Sequence, residues 1–134
     1  MTHAPRQLSR SAAVLVVLAL LPACLGAAEH AEVVVDGTDE VRRLTRSLEL
    51  LVIAQPEGTL VLDDRLEVPR QGELPLTLVV APEGGGDDRF HVIARAHSEP
   101  EGTGEIVARQ LLLGSFAPGS AVHYRMLLER EVAP

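Results

Sequence analysis

Beyond residue 29, apolar residues recur at every second position in short runs cut by Pro and Gly. No stretch of useful length carries the i, i+3, i+4 spacing of an amphipathic helix. Successive side chains of a strand point to opposite faces, so each run buries one face and wets the other. The clearest run is 74–80, where Leu74, Leu76, Leu78 and Val80 share one parity. Pro75 has the opposite parity, which suits the start of a strand or an exposed edge.

Further strands are read at 32–36, around three consecutive valines, and at 47–55, with Leu48, Leu50, Val52 and Ala54 on one face. A strand begins at Thr59, with Leu60 and Leu62 sharing a face until Asp63 and Asp64 end the pattern. The segment 37–46 is polar and reads as a loop or a weak edge strand. The strand 89–97 has Phe90, Val92, Ala94 and Ala96 inward and His91 and His97 outward. The strand 105–113 changes parity near Gln110, as at a bulge, and 121–129 carries Val122, Tyr124, Met126 and Leu128 inward. Segments 81–88 and 98–104 are Gly-containing loops. The expected core includes Leu50, Val52, Leu76, Leu78, Phe90, Val92, Tyr124 and Met126.

Seven strands joined by frequent turns imply an all-β fold, a single seven-stranded β-sandwich. The pattern resembles the immunoglobulin-like or fibronectin type III-like modules of bacterial envelope proteins. The resemblance is architectural, because the chain has no Trp and one Cys. A transthyretin-like sandwich is the alternative, since strand count does not fix strand order.

The first 23 residues follow a different logic. Arg6 and Arg10 precede a ten-residue apolar run at 12–21, which ends in Leu21-Pro22-Ala23-Cys24. A positive head, a short apolar core and small residues before a cleavage point form an export signal, too short to span a bilayer. The stretch resembles the lipobox of bacterial lipoproteins: Leu21, Ala23 and Cys24 match, and Pro22 departs from it. That resemblance implies cleavage before Cys24 and lipid attachment to its thiol, which explains the lone cysteine of an exported chain. Several acyl chains would make the anchor effectively permanent, and Leu25 favours the outer membrane over the inner. Cleavage before Glu29, after Gly26-Ala27-Ala28, is the competing reading and would release a soluble secreted chain. The resulting organisation is a signal peptide at 1–23, a short tether at 24–31 and the sandwich at 32–130.

Removal of 1–23 takes two Arg and no acidic residue, leaving ten Arg against nineteen Asp and Glu, a net charge of −9. Nucleic acid is thereby excluded as a partner, because binding phosphates needs surplus positive charge.

Candidate chemistry is sparse. His91 and His97 lie six residues apart on one strand, roughly 20 Å, so at most one of them could meet His123, and a metal site is not expected. Asp63, Asp64, Asp87 and Asp88 are weak calcium candidates as acidic loop pairs. None of Ser47, Ser98, Ser115 and Ser120 sits in a Gly-x-Ser-x-Gly elbow, so no enzymatic activity and no cofactor are expected. Leu51, Ile53 and Val79 have outward parity, so either their strands are covered on both faces or they present an apolar patch for a partner, a second copy or another envelope protein; the ordinary reading is a sandwich with a few exposed aliphatics. The reading is a lipid-anchored structural or protein-binding module. The alternative is a ligand-binding domain with calcium or a small molecule in the acidic loops.

Overall fold

In the computed structural model, residues 14–18 (backbone), 30–55, 58–82 and 89–131 are described. Their elements are β1 (Val14–Leu18), β2 (His30–Gly37), α1 (Asp39–Leu44), β3 (Ser47–Ala54), β4 (Thr59–Glu67), β5 (Leu76–Pro82), β6 (Arg89–Glu99), β7 (Thr103–Ser115) and β8 (Ala121–Leu128), with a 3-10 turn at Pro100–Gly102. Two sheets form, in the orders β1-β5-β2-β8 and β4-β3-β6-β7. All pairings are antiparallel except β2 with β8. The seven strands from β2 to β8 make the expected all-β sandwich.

The alternation explains the packing. Ala31, Val33 and Val35 of β2, Leu78 and Val80 of β5, and Met126 and Leu128 of β8 face Leu48, Leu50 and Val52 of β3 and Phe90, Val92 and Ala94 of β6, all essentially without solvent contact. Each such Val, Leu, Met or Phe side chain contributes about 1.5–3 kcal/mol by leaving water. Leu76 and Tyr124 are partly buried and pack against this core. Phe90 stacks on Phe116 with centroids 5.1 Å apart and meets Tyr124 edge-on at 6.1 Å, closing the open end between β6 and β8. The Tyr124 hydroxyl accepts from Ser115 N at 2.9 Å, tying β8 to the end of β7.

Strand grouping is the part that strand count leaves open. Counting from β2, the first, fourth and seventh strands share one sheet and the second, third, fifth and sixth the other. Immunoglobulin constant-type domains instead group the first, second, fourth and fifth. The layers are those of an immunoglobulin-like sandwich; the grouping differs.

Several local readings change. Segment 37–46 contains helix α1: Thr38 caps it, its Oγ1 accepting from Val41 N at 3.3 Å, with Asp39 and Glu40 in the first turn and Arg42 and Arg43 in the last. Six residues with one buried apolar side chain, Val41, are too few to show helical periodicity. Strand β4 does not stop at Asp63-Asp64 but runs to Glu67. A register shift at Val52/Ile53 lets Val61 and Leu62 both point inward, so Leu60 lies on the opposite face from Leu62 and is 40 % exposed. The parity change expected near Gln110 sits at Val107, the extra residue between the pairs His97↔Ile106 and Ala96↔Ala108. Segment 98–104 is largely strand, with only Pro100–Gly102 as a tight turn. Strand β2 begins at His30, inside the segment read as a tether, and Val14–Leu18, inside the segment read as a leader, forms β1 on the free side of β5. A run of five aliphatics suits a leader's core and a strand equally well.

Candidate protein-docking face

The outer face of β4-β3-β6-β7 is built by three ladder rows. Leu60, Ile53, His91 and Leu113 lie side by side across the four strands, as do Asp63, Leu51, Ile93 and Leu111, and then Arg65, Glu49, Arg95 and Arg109. Six of the eight residues in the first two rows are aliphatic. Leu111 and Leu113 are 54 % and 65 % exposed, while Leu51, Ile53 and Ile93 are half-buried by their neighbours. The sheet's inner parity is filled by the core, so its second apolar face has nothing in the described residues packed over it. Contiguous exposed aliphatics on one face mark an interaction surface in a way that scattered ones do not.

The third row supplies a polar rim. Arg109 Nε pairs with Glu131 at 2.7 Å and Arg95 with Glu49 at 3.8 Å, while His97 Nε2 lies 2.7 Å from Glu49 Oε1. Arg65, Arg95 and Arg109 balance Asp63, Glu49 and Glu131, leaving this face locally neutral on an acidic chain. Between Ile93, Arg95, Arg109, Gln110, Leu111 and Glu131 lies an open depression of about 380 Å³. An apolar centre with a polar rim is the anatomy of a protein interface.

The sequence-derived residues divide. Leu51 and Ile53 belong to this face. Val79 does not: it sits on the other sheet, between β1 and β2, and is 2 % exposed. Leu60, Leu111 and Leu113 were missed, because the two register shifts, not simple alternation, decide their side. His97, read as outward, is 6 % exposed. It lies beside Ser47, over which the Pro100–Gly102 turn folds: Ser47 Oγ donates to Glu99 O at 2.7 Å and accepts from Gly102 N at 2.9 Å. His91 contacts Gln55 at 3.3 Å. His123 meets neither, and instead its Nδ1 lies 3.0 Å from Glu32 Oε2, with His30 Nε2 3.3 Å from Glu32 Oε1. That cluster went unseen because His30 was placed in the tether.

Among the described residues no three His, Cys, Asp or Glu side chains are arranged to hold a metal ion. Asp63 and Asp64 are strand residues, not loop residues, and as neighbours in β4 they project to opposite faces, Asp64 accepting from Arg65 N at 2.9 Å. Asp87, Asp88, Leu21, Ala23 and Cys24 lie outside the described residues. The remaining serines serve turns and strand ends, Ser98 Oγ accepting from Glu105 N and Ser120 Oγ reaching Pro118 O.

The most perturbed acid is structural. Burial works against charge on Asp36, but the Gly37 N–H at 2.8 Å and the guanidinium groups of Arg42 and Arg125, at 2.6 and 2.9 Å, outweigh it and hold the carboxyl below its ordinary value. This pins α1 and β8 to the end of β2. No protein-family model and no curated protein matches this chain.

Proposed function

We propose that the chain is an exported, lipid-anchored envelope protein without enzymatic activity, and that the outer face of β4-β3-β6-β7 docks another envelope protein. The observation that carries the docking role is the apolar row pair ending in Leu111 and Leu113, rimmed by balanced charges. The anchoring role rests on Arg6, Arg10 and the Leu21-Pro22-Ala23-Cys24 motif. A different protein is favoured over a second copy because two chains of net charge −9 repel one another. The grouping of the first, fourth and seventh strands speaks against an immunoglobulin constant-type identity and leaves the transthyretin-like alternative standing.

Native mass measurement of the membrane-extracted chain tests the docking role. The wild type migrates in a complex containing a second protein, and Leu111→Ser with Leu113→Ser migrates alone. A wild type that runs as a monomer, or a complex that survives the double substitution, overturns it. The alternative, ligand binding by the acidic loops, loses Asp63 and Asp64, which are strand residues, and no observation favours it.

A further inference from the structure

Strand β5 is interior only because Val14–Leu18 lies along its free side. β1 runs antiparallel to it, from Val14 opposite Pro82 to Leu18 opposite Leu78, while β2 holds the other side. These five residues belong to the apolar run of the leader, which cleavage before Cys24 removes. Once it is gone, the backbone groups of β5 that faced β1 have no ladder partner.

The sequence of β5 fits a covered strand. Open edges are normally protected by charge. β4 carries Asp63, Asp64, Arg65 and Glu67, β7 carries Glu105 and Arg109, and β8 carries His123 and Arg125. Leu76–Pro82 has no charged residue at all. Leu78, Val79 and Val80 are all buried with β1 in place.

We propose that the β5 edge is a strand-acceptor groove, vacated by processing and filled in the envelope by an extended aliphatic segment of a partner protein. This rests on the leader reading given above. The register defines the occupant: about five residues, antiparallel to β5, because the ladder spans five pairs. Positions opposite Leu78 and Val80 share the core-facing side and call for aliphatics, and those opposite Val79 and Ala81 call for small or aliphatic residues. A lone segment suffices, since β1 pairs with no strand but β5. A second copy would instead bring a whole acidic domain against this one.

The test uses the chain purified from the membranes of its expressing cell, with its N terminus read by mass spectrometry, and the full chain made without export for comparison. Hydrogen exchange of the β5 amides is followed with and without a peptide of residues 12–20 carrying Lys at both ends, and with its Val16→Pro, Val17→Pro form, which lacks a ladder N–H whichever of the two adjacent residues turns its N–H toward β5. The processed chain exchanges β5 amides at least about tenfold faster than the full chain, the peptide restores protection, and the Pro peptide does not. No protection of β5 by the peptide overturns the proposal. A dimer with slow β5 amides overturns it in favour of a second copy, and a processed monomer with slow β5 amides overturns it outright. An N terminus that retains Val14–Leu18 refutes the leader reading itself, and the proposal with it.

Discussion

Gly114→Ala is a small change with a calculable penalty. Gly114 lies opposite Phe90 on the β6–β7 ladder, and a Cβ there would sit 2.4, 2.6 and 2.9 Å from the Cζ, Cε2 and Cε1 atoms of that ring. The ring has no room to retreat, being fully buried and held between Phe116 and Tyr124. Overpacking of this kind costs about 1–3 kcal/mol. Against it stands the lower unfolded-state entropy of Ala, about 0.4–1 kcal/mol. With three approaches under 3.0 Å to an immobile ring the penalty falls in the upper part of that range, about 2–3 kcal/mol, and the net loss is about 1–2.6 kcal/mol, which for a domain of this size lowers Tm by roughly 4–20 °C. Because the chain has no Trp, thermal and urea unfolding are best followed by far-UV circular dichroism. Phe90→Leu relieves the clash, so the double variant should be more stable than the sum of the single losses implies. A Gly114→Ala protein as stable as wild type, or strictly additive losses, would refute the packing argument.

Leu78→Ala removes a fully buried side chain and should cost about 2–5 kcal/mol in urea unfolding. Asp36→Asn should cost about 1.5–3 kcal/mol, less than stranding a buried charge, because Arg42 and Arg125 are partly exposed and return to water. Since folding lowers the Asp36 value, its contribution is full above about 3.8 and is lost as pH falls through the folded value, so the stability gap between wild type and Asp36→Asn should be constant near neutrality and close in acid. Leu111→Ser with Leu113→Ser should change Tm little, the side chains being exposed. Cys24→Ala should leave the membrane fraction, with intact mass showing no acyl chains.

Strands were legible wherever alternation ran unbroken. In β3 and β8, and in β6 from Phe90 to Ala96, one parity is apolar throughout, and a side chain's face follows from counting by two. Counting fails at an extra residue: Val61 and Val107 each shift the ladder by one, which exposes Leu60 and moves the parity change away from Gln110. Helix α1 offered only its cap, Thr38, and its charge order. The docking face was half legible for the same reason, with Leu51 and Ile53 readable from parity and Leu111 and Leu113 not. Val79 shows the converse limit, because parity tells which face a side chain takes and not whether that face is covered: Val79 has outward parity and is 2 % exposed.

Photo-cross-linking in intact cells, with benzoylphenylalanine at Leu113 and, as a control, at Asp39 on α1, reads the docking role at the face itself. A discrete adduct of this chain with one other envelope protein from position 113, and none from position 39, is the outcome expected of that role. Adducts from 113 to lipid alone or to a second copy alone, or the same adduct from both positions, would contradict it.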